Sequence, residues 1–272
     1  MKCNLNNIEV NYEVYGSGKP ILMLHGSPVD HRLMTGCMEP VFHNRSGYKR
    51  IYIDLPGMGK TKGERWIVNL DAMLDVIIDF IKKVIPNENF LLAGQSFGGF
   101  LARGVVYKMA SRIDGLLLIC PAIILNDEKR DVPQHTILKR DTKLLSQIDS
   151  EDVKRFSSIQ VVQSKSNWER FRDEILPGIK IADIDFLEKL DANEYDFSFD
   201  VDNMKKKFEK PTLILLGRQD SCVGYKDAWS ILENYPRATF TVLDRAGHNL
   251  YIEQKELFDS LVNEWLLRVN ES

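Results

Sequence analysis

The segment that most limits how this chain can fold is residues 89–100, with the sequence NFLLAGQSFGGF. Residues 90–93 form a short apolar run, which is typical of a strand covered on both faces of a sheet. Beyond the following turn, apolar residues recur at helical spacing. Between the two lies Gly94-x-Ser96-x-Gly98. This pattern predicts a sharp strand-to-helix turn with one hydroxyl at its apex, because only glycine tolerates so close an approach of neighbouring elements.

Set between a strand and a helix, this pentapeptide resembles the nucleophile elbow of the α/β-hydrolase family. The resemblance implies that Ser96 is a catalytic nucleophile held in a strained backbone conformation. A bare G-x-S-x-G also occurs in ordinary tight turns, so the interpretation depends on partners elsewhere in the chain.

Two candidate partners follow the last two predicted strands. An alcohol needs a nearby base to attack a carbonyl at neutral pH. His248 lies in a Gly-His turn after the final strand, and Asp220 lies just after the preceding one. Such loops gather at the carboxyl edge of a doubly wound sheet, where Ser96 also emerges. The order Ser96, Asp220, His248 is similar to that of the α/β-hydrolases and predicts a catalytic triad; Asp127 is an alternative acid, because some relatives place the carboxylate there.

An oxyanion site is implied by the segment His25-Gly26-Ser27-Pro28, which resembles the first oxyanion loop of the family. On that match, the backbone N–H groups of Ser27 and Phe97 would bind the developing negative charge. His25 itself is interpreted as a packing residue, since a triad needs only one base.

Residues 54–61, with the sequence DLPGMGKT, end like a phosphate-binding loop. The full G-x-x-x-x-G-K-[ST] pattern fails, because its opening glycine would stand where this chain has Asp54. The D-x-x-G-x-G turn instead resembles a family loop that buttresses the site. Asp54 is therefore predicted to be structural.

The order of the predicted elements indicates the fold class. Strands and helices alternate, which implies parallel pairing, and the first 15 residues suit an antiparallel hairpin turning at Asn6-Asn7. We predict an α/β fold with a doubly wound, mostly parallel eight-stranded sheet. The last helix, residues 254–269, is predicted to face inward through four residues: Leu257, Leu261, Val262 and Trp265.

From about Leu125 to Phe208 the alternation of strands and helices stops. An insertion at this point is similar to the helical cap of many family members, and its apolar residues favour packed helices over a disordered linker. The predicted organisation is a first core part, a cap and a second core part, spanning residues 1–124, 125–208 and 209–272. Helices are predicted in the cap at residues 151–163, 168–176 and 183–190.

One predicted cap helix carries Trp168, Arg170 and Arg172. These side chains could form an aromatic wall and a clamp for a substrate carboxylate. Long charged side chains are mostly exposed, so the favoured interpretation is a solvated face.

The net charge and the cysteine positions argue against several classes of function. A formal net charge of -3 does not favour binding to nucleic acid or to an anionic membrane. Neither a signal peptide nor a transmembrane stretch is indicated, which predicts a cytoplasmic protein. The cysteines lack metal-binding spacing and are interpreted as reduced thiols, so no metal or cofactor is predicted. Oligomeric state is not indicated by the sequence. The four cysteines are Cys3, Cys37, Cys120 and Cys222.

A serine nucleophile sets aside the dehalogenases and epoxide hydrolases of the family, which use Asp there. An inserted cap usually implies a small substrate enclosed away from water. The favoured function is hydrolysis of a small carboxylic ester through an acyl-enzyme on Ser96. Alternatives are C–C bond or amide hydrolysis, including aminopeptidase activity, and a non-catalytic small-molecule-binding relative. Phe97 argues against a peptidase, because iminopeptidases commonly have Trp at that position.

Overall fold

The computed structural model describes residues 1–191 and 196–271. Within them, an eight-stranded sheet forms the centre of the molecule, in the order β1-β2-β4-β3-β5-β6-β9-β10, and β7 pairs separately with β8. The strands are β1 (Lys2–Asn4), β2 (Glu9–Tyr15), β3 (Lys19–Leu24), β4 (Tyr48–Ile53), β5 (Phe90–Gln95), β6 (Ile113–Ile119), β7 (Lys139–Arg140), β8 (Val162–Gln163), β9 (Thr212–Gly217) and β10 (Ala238–Leu243).

The sheet is antiparallel only at one edge, where β1 pairs with β2 and β2 with β4. From β4 onward every described pair in the sheet is parallel. The parallel pairing of β6 with β9 joins the two predicted core parts across the long excursion between them. These findings confirm the predicted fold class.

Helices flank the sheet and also fill the excursion between β6 and β9. The sequence specifies some ends locally: the side chain of Asn69 accepts a hydrogen bond from Ala72 N and caps α2. The helices are α1 (His31–Phe42), α2 (Leu70–Val84), α3 (Phe97–Met109), α4 (Thr142–Leu145), α5 (Ser150–Ile159), α6 (Lys165–Arg170), α7 (Leu176–Ile181), α8 (Ile184–Asp191), α9 (Leu250–Glu253) and α10 (Lys255–Asn270).

The central strands are covered on both faces, as their continuous apolar runs predict. Every residue of β5 and of β9 is buried. Because these two strands and β10 run in parallel, the loops that follow them lie at one edge of the sheet.

The inward face of α10 differs in part from the prediction. Leu257 is 49% exposed, so its predicted inward orientation is wrong, while Val262 and Trp265 are fully buried. The buried stripe starts one residue later, at Phe258, and continues through Val262 and Trp265 to Val269. Spacings of four and three residues place these side chains on one helical face, and Leu257 lies about 100° around the helix from Phe258.

The predicted cap contains packed helices, with two local differences. The predicted helix over 151–163 ends at Ile159, and the following segment forms the buried strand β8. The predicted helix over 168–176 is interrupted by a π-helical turn, Phe171–Ile175. Residues 192–195 of the predicted cap, and Ser272 at the end of the second core part, lie outside the described residues. The domain boundaries stay a prediction.

Among the described residues, no helix combines the length and the apolar character needed to cross a membrane.

Candidate active site

Ser96 sits at the turn between β5 and α3, where the backbone is strained. Its φ is 54° and its ψ is -119°, an unusual conformation for a residue with a side chain. A Cβ at Gly94 would lie 2.3 Å from Gly98 O, and one at Gly98 would lie 2.4 Å from His25 O. The two glycines therefore allow the close approach that the sequence pattern predicts.

The structure brings the three predicted triad side chains together. His248 Nε2 lies 2.9 Å from Ser96 Oγ, and His248 Nδ1 lies 2.9 Å from Asp220 Oδ2. A carboxylate only accepts hydrogen bonds, so Nδ1 carries the proton and Nε2 is free to accept one from the serine hydroxyl. This tautomer is the one that allows the imidazole to act as a base toward Ser96.

The carboxylate of Asp220 is held in place through Oδ1, the oxygen that does not contact His248. Its side chain is fully buried, and Oδ1 accepts hydrogen bonds from Cys222 N at 2.9 Å and Val223 N at 3.1 Å. The loop after β9 thus satisfies the buried carboxylate while leaving Oδ2 for the imidazole.

Asp127, the alternative acid, occupies a different place. Its side chain is 85% exposed and pairs with Arg130 Nη1 at 2.5 Å. Arg130 also donates to Ile124 O and Leu125 O at 2.7 Å each, and to Cys222 O at 3.0 Å. Asp127 therefore belongs to a charged turn beside the cavity, whereas Asp220 is the carboxylate on the imidazole.

A cavity of about 1060 Å³ opens beside Ser96 and His248. Ser27 and Phe97, whose backbone N–H groups are the predicted oxyanion donors, both line it. Its apolar wall is formed by Phe97, Ala122, Ile124, Leu125, Ile159 and Val223, and its charged lining includes Asp127, Glu128, Lys129, Arg130, Asp191 and Asp196.

His25 is a packing residue in the structure. Its ring is fully buried, Nδ1 lies 2.6 Å from Gly26 O, and Nε2 accepts a hydrogen bond from Leu55 N at 3.0 Å. Burial lowers the pKa of His25 and so favours the neutral ring. Both ring nitrogens are occupied by main-chain groups, which leaves His25 no role as a second base.

Asp54 holds the neighbouring loop, in agreement with its structural interpretation. Its carboxylate accepts from His31 N and His31 Nδ1, and from Asn11 Nδ2 and Lys60 N, at 2.7 to 3.0 Å. Burial works against the charged form, yet the bond from His31 and the nearby His25 and His31 rings hold the pKa of Asp54 well below its usual range. The group is fully satisfied by protein partners.

Within residues 1–191 and 196–271, two groups of side chains have the donor atoms that a metal ion requires. The potential ligand atoms of Cys120, Asp220 and His248 lie within 4.8 Å of one another, as do those of Asp30, His31 and Asp54. In both groups a histidine Nδ1 is already hydrogen-bonded to a carboxylate. Burial also raises the pKa of the Cys120 thiol, which disfavours the thiolate that binds metals. The arrangement thus favours hydrogen-bonded groups over a metal centre.

The predicted cap side chains do not form the suggested substrate clamp. Arg170 is largely buried, pairs with both oxygens of Glu174, and donates to Tyr251 O at 2.7 Å and Gly36 O at 3.1 Å. Arg170 therefore makes internal contacts within the protein, and its interpretation as part of a solvated face is wrong. Arg172 is exposed and pairs with Asp173. Trp168 is buried against aromatic neighbours, Phe156 and Phe171.

Two residues at the site were missed by the sequence reasoning. Gln95 Nε2 lies 3.3 Å from His248 Nε2, and the only sequence signal is its position next to the nucleophile. Glu253 accepts from Gly247 N at 2.6 Å, and from Val161 N at 2.6 Å and Val162 N at 2.9 Å. It thereby joins the loop of the candidate base to the predicted cap, a contact that no spacing in the sequence indicates.

Comparison with known families gives a match over most of the chain. A family model described as "Serine aminopeptidase, S33" matches residues 41–255. The matched range includes Ser96, Asp220 and His248, and it begins after the loop that contains Ser27.

Curated relatives and a solved structure match nearly the whole chain. A pimeloyl-[acyl-carrier protein] methyl ester esterase from Legionella pneumophila (strain Corby) is 24% identical over 95% of this chain and 100% of its own length. A 2-hydroxy-6-oxo-6-(2'-aminophenyl)hexa-2,4-dienoic acid hydrolase from Metapseudomonas resinovorans is 21% identical over 97% and 90%, respectively. The crystal structure of an alpha/beta superfamily hydrolase from Oenococcus oeni PSU-1 has a TM-score of 0.89 and 30% identity, covering 99% of both chains.

Proposed function

We propose that this chain, which belongs to the α/β-hydrolase family, hydrolyses a small carboxylic ester through an acyl-enzyme on Ser96. The observation that carries the proposal is the continuous hydrogen-bonded series from Ser96 Oγ through His248 to buried Asp220, beside an open cavity. Relatives named as an ester hydrolase and as a hydrolase of a dienoic acid support hydrolytic chemistry at such a site.

The first half of the reaction forms the acyl-enzyme. Ser96 Oγ attacks the ester carbonyl carbon while His248 Nε2 takes the hydroxyl proton. The negative charge that develops on the carbonyl oxygen is bound by the N–H groups of Ser27 and Phe97. The carbon–oxygen bond to the alcohol then breaks, and the imidazolium gives its proton to the departing alkoxide oxygen.

The second half repeats these steps with water. His248 takes a proton from water as its oxygen attacks the acyl carbon, and then returns the proton to Ser96 Oγ as the acid leaves. Asp220 keeps the proton of the neutral ring on Nδ1 and stabilises the imidazolium in both halves. The two hydrogen bonds from main-chain N–H groups hold the Asp220 carboxylate in position for that role.

The cavity supports a small substrate with an apolar portion. Its volume of about 1060 Å³ corresponds to the upper end of small-molecule pockets, and the wall near Ser96 is formed by aliphatic and aromatic side chains. We propose that residues 125–208 act as a cap, since Ile159 and Asp191 line the same cavity as the core residues Ser96 and His248. The proposed partner is therefore a small acyl compound.

Cleavage of a C–C bond is the second candidate. The relative from Metapseudomonas resinovorans is named for a dienoic acid, a type of substrate whose hydrolysis would use the same serine, base and oxyanion donors. The name of the matching family model likewise keeps amide hydrolysis open, although Phe97 follows the nucleophile where iminopeptidases commonly have Trp.

A fluorophosphonate probe tests the proposal most directly. An activated serine reacts readily with it, so we expect stoichiometric labelling of Ser96 and none in the Ser96→Ala variant. Acyl esters of increasing chain length, assayed beside a ring-cleavage product and an aminoacyl amide, then identify the bond that is cleaved. An unlabelled wild-type protein would instead favour a non-catalytic binding protein on this scaffold.

A further inference from the structure

Gln95 is the last residue of β5 and lies directly beside the catalytic pair. Its side chain is 1% exposed, and its amide Nε2 lies 3.3 Å from His248 Nε2. The same imidazole nitrogen lies 2.9 Å from Ser96 Oγ. Two groups therefore face the one lone pair that accepts the serine proton.

The other end of the same amide has no partner. Gln95 Oε1 is buried and makes no hydrogen bond to any described residue. It packs against Gly26 in the oxyanion loop, where an added Cβ would lie 2.3 Å from Oε1 and 3.0 Å from Ser96 Cβ. Gly26 thus leaves a slot that the amide fills, between the oxyanion loop and the imidazole.

A buried carbonyl oxygen without a hydrogen-bond donor is costly in a resting structure. An amide that only filled space here could be replaced by an apolar side chain at no such cost. Beside an imidazole that gains and loses a proton, this oxygen can find a donor in a second state of the site, in which that donor faces Gln95.

We propose that Gln95 is a positioning residue that holds the His248 ring in both of its protonation states. This inference rests on the proposed function. In the resting site the neutral Nε2 accepts a hydrogen bond from the Gln95 amide N–H. After Nε2 has taken the proton of Ser96, it becomes a donor, and the amide turned by 180° offers Oε1 to it.

The turn requires no change in volume, because the oxygen and the nitrogen of a carboxamide have nearly the same size. No bond to Gln95 forms or breaks, and the proton on Nε2 still passes to the departing alcohol. The amide keeps the ring in the plane shared by Ser96 Oγ and Asp220 while the charge on the ring changes.

Three substitutions test this role against simple space filling. Gln95→Met keeps the length and apolar stem but removes both polar atoms, and Gln95→Asn keeps the amide but shortens its reach. We expect both to lower kcat on an activated ester by roughly ten- to a hundred-fold, with KM changed by less than about two-fold. Gln95→Glu places a carboxylate beside Nε2, which favours the imidazolium, so the acidic limb of the pH profile of kcat/KM should move upward by about one pH unit.

Thr241→Val is the matched control, because Thr241 Oγ1 is also a buried oxygen without a hydrogen-bond partner among the described residues, but it lies within β10 and does not line the cavity. It should keep the wild-type kcat and pH profile. Thermal unfolding of every variant separates a local effect from a folding defect. A wild-type kcat for folded Gln95→Met, or an unmoved acidic limb for Gln95→Glu, would overturn the role.

A readout without turnover separates this inference from the proposed function. The ¹⁵N resonances of the histidine rings can be titrated in wild type and Gln95→Glu, with His248→Ala used for assignment. We expect only the His248 midpoint to rise. If no substrate is cleaved but this midpoint rises, the proposed function fails while the contact stands; if activity is found and the midpoint does not move, the role of Gln95 fails alone.

Discussion

His248 Nε2 and Ser96 Oγ are hydrogen-bonded at 2.9 Å although 152 residues separate them along the chain. The contact is possible because Ser96 follows β5 and His248 follows β10, two parallel strands whose carboxyl ends lie at the same edge of the sheet. The arrangement makes the roles of individual side chains testable one at a time.

Removing either member of this pair should abolish turnover without unfolding the protein. For Ser96→Ala and His248→Ala we expect kcat on an activated ester to fall by roughly three orders of magnitude or more, since triad residues act as a unit. Thermal unfolding should change little for Ser96→Ala. Ser260→Ala, at an exposed hydroxyl on α10, is the control and should keep full activity. Wild-type rates in Ser96→Ala would contradict the assignment.

The two candidate acids can be compared directly. Asp220→Asn should lower kcat by roughly 10³- to 10⁴-fold, because an amide at this position favours the wrong imidazole tautomer. Asp127→Asn should stay within about three-fold of wild type, since its exposed carboxylate pairs with Arg130 and not with the imidazole. Steady-state kinetics of both variants decide the question. The opposite ranking would assign the role of the acid to Asp127, in the turn after β6.

Glu253 should make stability depend on pH. Burial raises its pKa from 4.5 to about 7, despite three main-chain hydrogen bonds to the carboxylate. Because the folded state holds this proton more tightly, its contribution to the free energy of unfolding is fully present below 4.5 and is lost as pH rises to about 7. Between about pH 4.5 and about pH 8 the loss amounts to about 3 kcal/mol from this group.

Urea unfolding of wild type and Glu253→Gln across this pH range measures the effect. Wild type should lose unfolding free energy relative to Glu253→Gln as pH rises, because glutamine does not titrate. Glu256→Gln, at an exposed position three residues along, should leave the pH dependence unchanged. A pH-independent difference between wild type and Glu253→Gln would show that the carboxyl does not titrate in this interval.

Arg170 should matter for stability and not for substrate binding. Arg170→Met leaves the largely buried Glu174 without its partner, and burial already raises the pKa of that carboxyl. We expect a loss of about 3 kcal/mol in unfolding free energy, partly restored by Glu174→Gln in the double variant. Arg172→Ala, which removes an exposed arginine, should be neutral. A raised KM for an anionic ester in folded Arg170→Met would instead support a clamp for carboxylates.

The sequence was sufficient for features that depend on local pattern. A continuous apolar run located the buried strand β5, and the last two predicted strands, which precede Asp220 and His248, correspond to β9 and β10. The elbow was predictable because only glycine fits at Gly94 and Gly98, and the strand order then brought the loops with Asp220 and His248 to the same edge.

Features that depend on three-dimensional partners were not predictable. Arg170 has the appearance of a solvated residue in sequence, because nothing local shows that Tyr251 O and Gly36 O accept its hydrogen bonds. The inward face of α10 was misplaced at Leu257, because both Leu257 and Phe258 have apolar residues four positions later, at Leu261 and Val262, and only packing selects Phe258. Gln95 was missed because a side chain at the end of a strand carries no periodic signal.

The pairing of β6 with β9 has a consequence for how this protein is made. Ser96 lies on the earlier side of that junction, whereas Asp220 and His248 lie on the later side. A ribosome therefore releases Ser96 long before Asp220 and His248, its proposed acid and base, emerge. Until then the growing polypeptide carries a serine without its proposed partners, and the proposed chemistry requires that the two sections have closed against each other.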